Sequence, residues 1–163
     1  MQKSSLNRRT LLAAAGATAL VAGPARLLTP AMASGRFAPT ETMRGGANNY
    51  MPNAPFVDRL GKGFLMSGRV MRAGDGAPLG NIRIQIWAAT TLGGEREPRN
   101  HGSVLTGPDG RYQLEMEQIV PNFGQPHAHL AYDDGAFRTV FLRPVMPSPK
   151  DTSLTADFIL DPA

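Results

Sequence analysis

From residue 64 to residue 160 the chain alternates apolar and polar positions in short runs with a period of two, and turn-forming residues close each run. Residues 64–72 set Met66, Gly68 and Val70 against Ser67, Arg69 and Met71, as a two-faced strand requires. Residues 73–78 are a turn. Residues 82–87 alternate most cleanly, with Ile82, Ile84 and Ile86 on one face. Further strands are predicted at 104–106, 111–116, 127–132, 136–142 and 155–160. Pro108-Asp109-Gly110, the loop 121–126 and the hairpin turn Asp133-Asp134-Gly135 lie between them. No segment sustains a helical period. About seven short strands with regular turns predict an all-β fold, an antiparallel β-sandwich of prealbumin or immunoglobulin-like type. Residues 34–63 have no clear period. They contain Gly45-Gly46, Asn48-Asn49, Pro52 and Pro55, and read as an extended N-terminal arm.

Charge changes the picture at the N-terminal end. The chain of 163 residues has 17 Lys and Arg against 13 Asp and Glu, yet residues 1–33 hold Lys3, Arg8, Arg9 and Arg26 and no acid. Without that segment the charges balance, so the sequence gives no support for a nucleic-acid partner. Ser4-Ser5-Leu6-Asn7-Arg8-Arg9-Thr10-Leu11-Leu12 resembles a twin-arginine export signal. A weakly apolar run of about 13 residues, 11–23, follows it, and Ala31-Met32-Ala33 is a small-x-small cleavage site. That run is short of the roughly 20 residues that span a bilayer. The expectation is a leader at 1–33, an arm at 34–63 and one domain at 64–163, exported to a periplasm or the cell exterior, with no membrane span after cleavage. The chain has no Cys, so packing must hold the domain without disulfides. A homo-oligomer is compatible with this composition.

Three histidines carry the candidate chemistry. His127 and His129 lie two apart on a predicted strand and project to one face, side by side, as a metal site on a sheet needs. The alternative is two ordinary polar residues at a sheet edge. His101 lies in a polar loop at 90–103, with Glu95, Arg96, Glu97 and Arg99 close in sequence. Loops of that length in compact β domains are more often functional than idle. Folded over the pair, the loop offers His101 or Glu95 as a third ligand beside an open position. Glu95 can otherwise act as a general base, and Arg96 and Arg99 can position a polar substrate or simply face solvent. Tyr112 and Trp87 read as core residues, Tyr132 points away from His129, and Tyr50 is either a cover for the site or a packing anchor. The chain has no phosphate-cradling loop and no Gly-x-Ser-x-Gly elbow.

The order of short motifs adds a resemblance. Asn53-Ala54-Pro55, Gly68-Arg69-Val70, Gly76-Ala77-Pro78-Leu79, Ile84-Gln85-Ile86-Trp87, Leu105 to Tyr112 and His127-Ala128-His129 together resemble the intradiol ring-cleavage dioxygenases of the catechol and protocatechuate type. The resemblance covers about residues 50–142. It implies a β-sandwich with non-haem iron, Fe(III), that inserts both atoms of O2 between the hydroxyl-bearing carbons of a catechol-like or polyhydroxylated substrate. It carries the family's histidine ligands onto His127 and His129. The family's two tyrosine ligands have no counterpart: the first expected stretch reads Leu92-Gly93-Gly94-Glu95-Arg96, and the second holds Phe123. Gln125 stands near the position of an arginine usual in the family. Neutral imidazoles suit Fe(II), copper, zinc or nickel as well as Fe(III). A same-scaffold metalloenzyme with a His-only site for copper, zinc or iron and a different chemistry, and a non-enzymatic prealbumin-like binding module, are the other readings the residues allow.

Overall fold

The period-two alternation becomes two sheets facing each other across one apolar layer in the computed structural model, which describes residues 37–163. The leader reading at 1–33 lies outside the described residues. Nine strands are present among them: β1 Arg59–Leu60, β2 Gly63–Arg72, β3 Arg83–Ala88, β4 His101–Leu105, β5 Arg111–Glu117, β6 Ala128–Tyr132, β7 Val140–Leu142, β8 Ser153–Thr155 and β9 Phe158–Leu160. One sheet runs β1-β5-β2-β8, with β9 also paired to β2, and the other runs β4-β3-β6-β7. The second sheet is antiparallel throughout, whereas β1, β8 and β9 join the first in parallel. The helical content of the described residues is one 3-10 turn at Pro98–Asn100. The fold is the all-β sandwich that the sequence predicts.

Alternation decides what fills the layer between the sheets. Phe64, Met66 and Val70 of β2 and Tyr112, Leu114 and Met116 of β5 pack with Ile84, Ile86 and Ala88 of β3 and Ala128, Leu130 and Tyr132 of β6. Tyr112 and Tyr132 are thus core residues, as their strand positions require. The intervening residues of the second sheet, among them Gln85, Trp87, His101, Ser103 and His129, point to its outer face and yet are buried. Trp87 is therefore buried on the side away from the sandwich core. The arm covers that outer face. Met43 N–H donates to the Phe141 carbonyl (2.8 Å), Ser103 N–H to the Pro55 carbonyl (2.7 Å) and Val57 N–H to the Ser103 carbonyl (3.1 Å). Gly46 permits the close approach, since a Cβ there would lie 2.7 Å from the Phe141 carbonyl oxygen.

Four strand boundaries differ from the sequence expectation. β4 starts at His101, inside the predicted loop, because its outer-face residues are polar and match no apolar alternation. The predicted strand at 155–160 is two strands, β8 and β9, split where Ala156 N–H donates to the Ser67 carbonyl (2.9 Å) and Asp157 Oδ1 accepts from Arg69 N–H (2.8 Å). β7 begins at Val140 rather than 136, because Phe137 N–H turns to the Tyr132 hydroxyl (3.1 Å). The two-residue β1 lies within the arm and is too short to show a period.

Candidate metal centre

Two of the three histidines face outward from neighbouring turns of one strand pleat. His129 is in β6, and His127 immediately precedes it, pairing with Val145 across an isolated bridge. Their rings lie 4.9 Å apart, centroid to centroid, at 73°. Each is oriented from behind. His129 Nδ1 is 2.9 Å from the Gly46 carbonyl and His127 Nδ1 is 2.8 Å from the Gln125 carbonyl. A carbonyl only accepts, so both Nδ1 atoms carry a proton, and in the neutral rings both Nε2 lone pairs are free. Arg143 Nη2 stands 3.4 Å from His127 Nδ1, but the shorter carbonyl contact decides the tautomer.

Glu95 reaches both lone pairs from the loop between β3 and β4. Asn100 shapes that loop: it accepts from the Thr90 hydroxyl (2.8 Å) and donates to the carbonyls of Gly93 (2.9 Å) and Gly94 (3.0 Å). Glu95 Oε1 lies 2.9 Å from His127 Nε2 and Oε2 lies 3.4 Å from His129 Nε2, with all three side chains at most 5% exposed. Ligand atoms of all three lie within 4.8 Å of one another. Yet Glu95 Oε1 and His129 Nε2 make no hydrogen bond, although both are buried. Burial opposes ionisation of the Glu95 carboxyl, but hydrogen bonds from Asn122 and Asn49 and the nearby imidazoles outweigh it and hold the group below the usual carboxylate range. Burial holds His129 below the usual histidine range, partly offset by the Gly46 carbonyl and Glu95. Both Nε2 atoms thus converge on a buried carboxylate whose Oε1 accepts no hydrogen bond, an arrangement that a cation held between them would satisfy.

The donor set fits a metal ion. Metal bonds of about 2.1 Å put neighbouring ligand atoms about 3.0 Å apart at right angles and about 3.4 Å apart at the tetrahedral angle. The two carboxylate-to-imidazole separations fall at those values. Two neutral imidazoles and one carboxylate suit a divalent first-row metal, and a three-ligand set leaves positions open.

The structure brings together His127, His129 and Glu95 but not His101. Trp87 pairs with His101 on one side and His129 on the other, so its indole stands in the row between the two imidazoles. It stacks on both at 8°, 5.7 Å from His101 and 5.2 Å from His129. His101 Nε2 instead donates to the Glu95 carbonyl (2.5 Å), and burial holds the ring below the usual histidine range against that hydrogen bond and the Glu95 charge. His101 is placed to fix the backbone of Glu95, not to contact an ion at the cluster. Arg96 is exposed and donates to Asn49 Oδ1 (3.0 Å), while Asn49 donates to Glu95 Oε2 (2.7 Å). Arg99 is exposed and pairs with Glu97 at 3.5 Å, away from the ligand atoms. Sequence reasoning missed Asn49, Asn100, Asn122 and Arg143. Only Asn100, next to His101 in the polar loop, had a local signal. A groove of about 620 Å3 lies on the outer face of the other sheet, lined by Leu65, Ser67, Arg69, Arg111 and Thr155.

No family model matches the chain, and no curated protein matches it. Solved structures do. The catechol 1,2-dioxygenase of Acinetobacter radioresistens superposes with a TM-score of 0.58 at 14% identity, over 82% of this chain and 67% of its own. The dioxygenase domain of a dioxygenase carbohydrate-binding protein fusion from Streptomyces sp. SirexAA-E gives 0.57 at 20% identity, over 76% and 98%. The hydroxyquinol 1,2-dioxygenase of Pseudomonas putida gives 0.56 at 15%, over 77% and 68%. The fold is the one these dioxygenases share.

Proposed function

We propose that the chain is an exported mononuclear metal enzyme of the dioxygenase type, with Glu95, His127 and His129 as its metal ligands and a catechol-class aromatic and O2 as its substrates. One observation carries the metal: buried Glu95 Oε1 and His129 Nε2 lack hydrogen bonds while converging with His127 Nε2. The substrate class is drawn from the fold shared with catechol and hydroxyquinol 1,2-dioxygenases.

The ligand charge favours Fe(II). A single carboxylate with two neutral imidazoles lacks the two tyrosinates that stabilise Fe(III), and this donor set is the one that non-haem Fe(II) oxygenases use. When bound, the ion supplies a Lewis acid for a dihydroxylated ring and a redox partner for O2. The chain's own residues do the rest. Gly46 and Gln125 carbonyls fix the imidazole tautomers, and Asn49 and Asn122 fix the carboxylate. His101 fixes the Glu95 backbone. Arg96, held beside the centre by Asn49, is the residue placed to attract an anionic hydroxyl group or carboxylate of the substrate. The segment at 121–125 carries Asn122 over the carboxylate and is the part that must open for a substrate.

The test uses the protein's single tryptophan. Trp87 stacks on His129, so Fe(II) titrated anaerobically should quench its fluorescence with an endpoint at one equivalent, and oxygen uptake should follow on adding a catechol. An endpoint at one equivalent with zinc, and none with iron, would favour a hydrolytic His2Glu centre instead. No saturable endpoint with any of these metals would end the metal reading. Export rests on Arg8 and Arg9. Their replacement by lysine should retain the protein in the cytoplasm, as cell fractionation would show.

A further inference from the structure

The rings behind the centre continue past His129. Its imidazole lies parallel to the Trp87 indole at 5.2 Å, and the Tyr50 ring lies 5.7 Å from the indole at 47°. The Tyr50 hydroxyl donates to Asp133 Oδ2. Gln85 Nε2 donates to both members of that pair, to the Tyr50 oxygen at 3.1 Å and to Asp133 Oδ1 at 2.8 Å. Gln85 is itself locked, because its Oε1 accepts from Ala54 N–H (3.0 Å). His129 and Trp87 are fully buried, whereas Tyr50 and Asp133 are half-buried and reach the surface.

Anchoring the arm needs only the Tyr50 ring, which already packs edge-on against Phe141 at 5.0 Å. The phenol, the carboxylate and the amide that aligns them have a different chemistry. Indole and phenol are the most readily oxidised aromatic side chains. An oxidised phenol is a strong acid, so its formation is easiest where a base already accepts its hydrogen bond. Electron transfer weakens steeply with the gap between donor and acceptor, so rings in contact support short hops that one long jump would not. The other two tyrosines lack this partner: Tyr112 donates to the Ala156 carbonyl, and Tyr132 accepts from Phe137 N–H.

The geometry points to an oxidation relay from the metal centre to the surface, in which Trp87 conducts, Tyr50 is the terminal radical site and Asp133 takes its proton. The inference rests on the metal reading above. In the step, a redox-active transition-metal ion held by Glu95, His127 and His129 and raised above its divalent state by a peroxide, itself reduced to water, would take one electron from Trp87 and fall by one unit of charge. Trp87 passes that electron on and is restored by Tyr50. The Tyr50 phenol loses the electron, and its proton moves to the Asp133 carboxylate, leaving a neutral phenoxyl radical beside a neutral carboxylic acid. Such a relay drains an oxidising equivalent away from Glu95, His127 and His129 when no substrate is there to receive it. The chain has no cysteine to serve that purpose.

The test loads the protein with Fe(II), verifies the iron by element analysis, mixes it with hydrogen peroxide without substrate and freezes it for electron paramagnetic resonance. The expected result is a phenoxyl signal that narrows in protein made with ring-deuterated tyrosine, vanishes in Tyr50→Phe and falls several-fold in Asp133→Asn. Zinc-loaded protein should show none. Should Tyr50→Phe not fold, Asp133→Asn and the deuterated protein decide, and an Asp133→Asn signal equal to the parent's would overturn the relay. A signal that survives in folded Tyr50→Phe would overturn it too. Bound iron without a tyrosine radical would sink the relay alone, whereas failure to bind iron would sink it together with the metal reading.

Discussion

The two faces of the β4-β3-β6-β7 sheet are both buried, but they are buried by opposite means. The inner face presents Ile84, Ile86, Ala88, Leu130 and Leu142 to the other sheet, and needs nothing but shape and apolar area. The outer face presents Gln85, Trp87, His101, Ser103 and His129 to a largely polar arm, so almost every group there needs a hydrogen-bond partner. Most have one. Gln85 bonds to Ala54 and to the Tyr50–Asp133 pair, Ser103 to the Ala54 carbonyl, and the Trp87 indole N–H to the Asn48 carbonyl. Among the described residues three buried atoms on this side have none: Glu95 Oε1 and His129 Nε2, which converge at the metal cluster, and His101 Nδ1, which stands apart beyond Trp87. Adjacent residues of one strand thus serve packing and chemistry separately, and substitutions should separate them too.

The largest expected effect is on the outer face. Removing a ligand by His129→Ala or Glu95→Ala should weaken metal binding by more than the 10- to 100-fold that loss of an outer partner costs. Equilibrium dialysis would measure it. The neighbouring inner-face change Ile86→Ala should cost about 2–5 kcal/mol in denaturant unfolding. The folded fraction should still take one equivalent of metal. Retained binding in the first pair, or lost binding in the second, would blur the division between the faces.

Asn49→Ala tests the supporting shell of the outer face. It removes the donor to Glu95 Oε2 and the link to Arg96, and metal affinity should fall about 10- to 100-fold with the ligand set intact. Isothermal titration with the same metal would show it.

Acid in the histidine range should act on the outer face. His101 and His129 are held below the usual histidine range by burial, so the unfolded chain binds their protons more readily. The stability they contribute is fully present above about pH 6.5 and is lost as pH falls toward their folded values. The Glu95 carboxyl, also held low, adds a second loss only below the ordinary carboxylate range. The Tm of metal-free protein should therefore decline from about pH 6.5 downward before the carboxylate region is reached. A flat Tm through the histidine window would contradict this.

Much of the fold was legible because period two is written directly in the chain. The Ile82-Ile84-Ile86 row and the His127–His129 pair both follow from it, and loop length alone drew attention to Glu95. The cover of the site was not legible. Gly46 meets His129 and Tyr50 meets Asp133 across 83 positions each, and nothing local in an aperiodic arm announces such contacts. His101 was expected beside the pair because it shares the loop with Glu95. Only the strand register shows Trp87 standing between its ring and His129. Asp133 read as a turn former, and its second engagement with Tyr50 and Gln85 appears only when the arm is in place.

The most direct test is an anomalous-difference map at the iron edge, from crystals of the protein loaded with Fe(II) at one equivalent. The account predicts a single peak bonded at about 2.0–2.2 Å to Glu95, His127 Nε2 and His129 Nε2. A peak that left any of these three unbonded, or no peak among them, would contradict it.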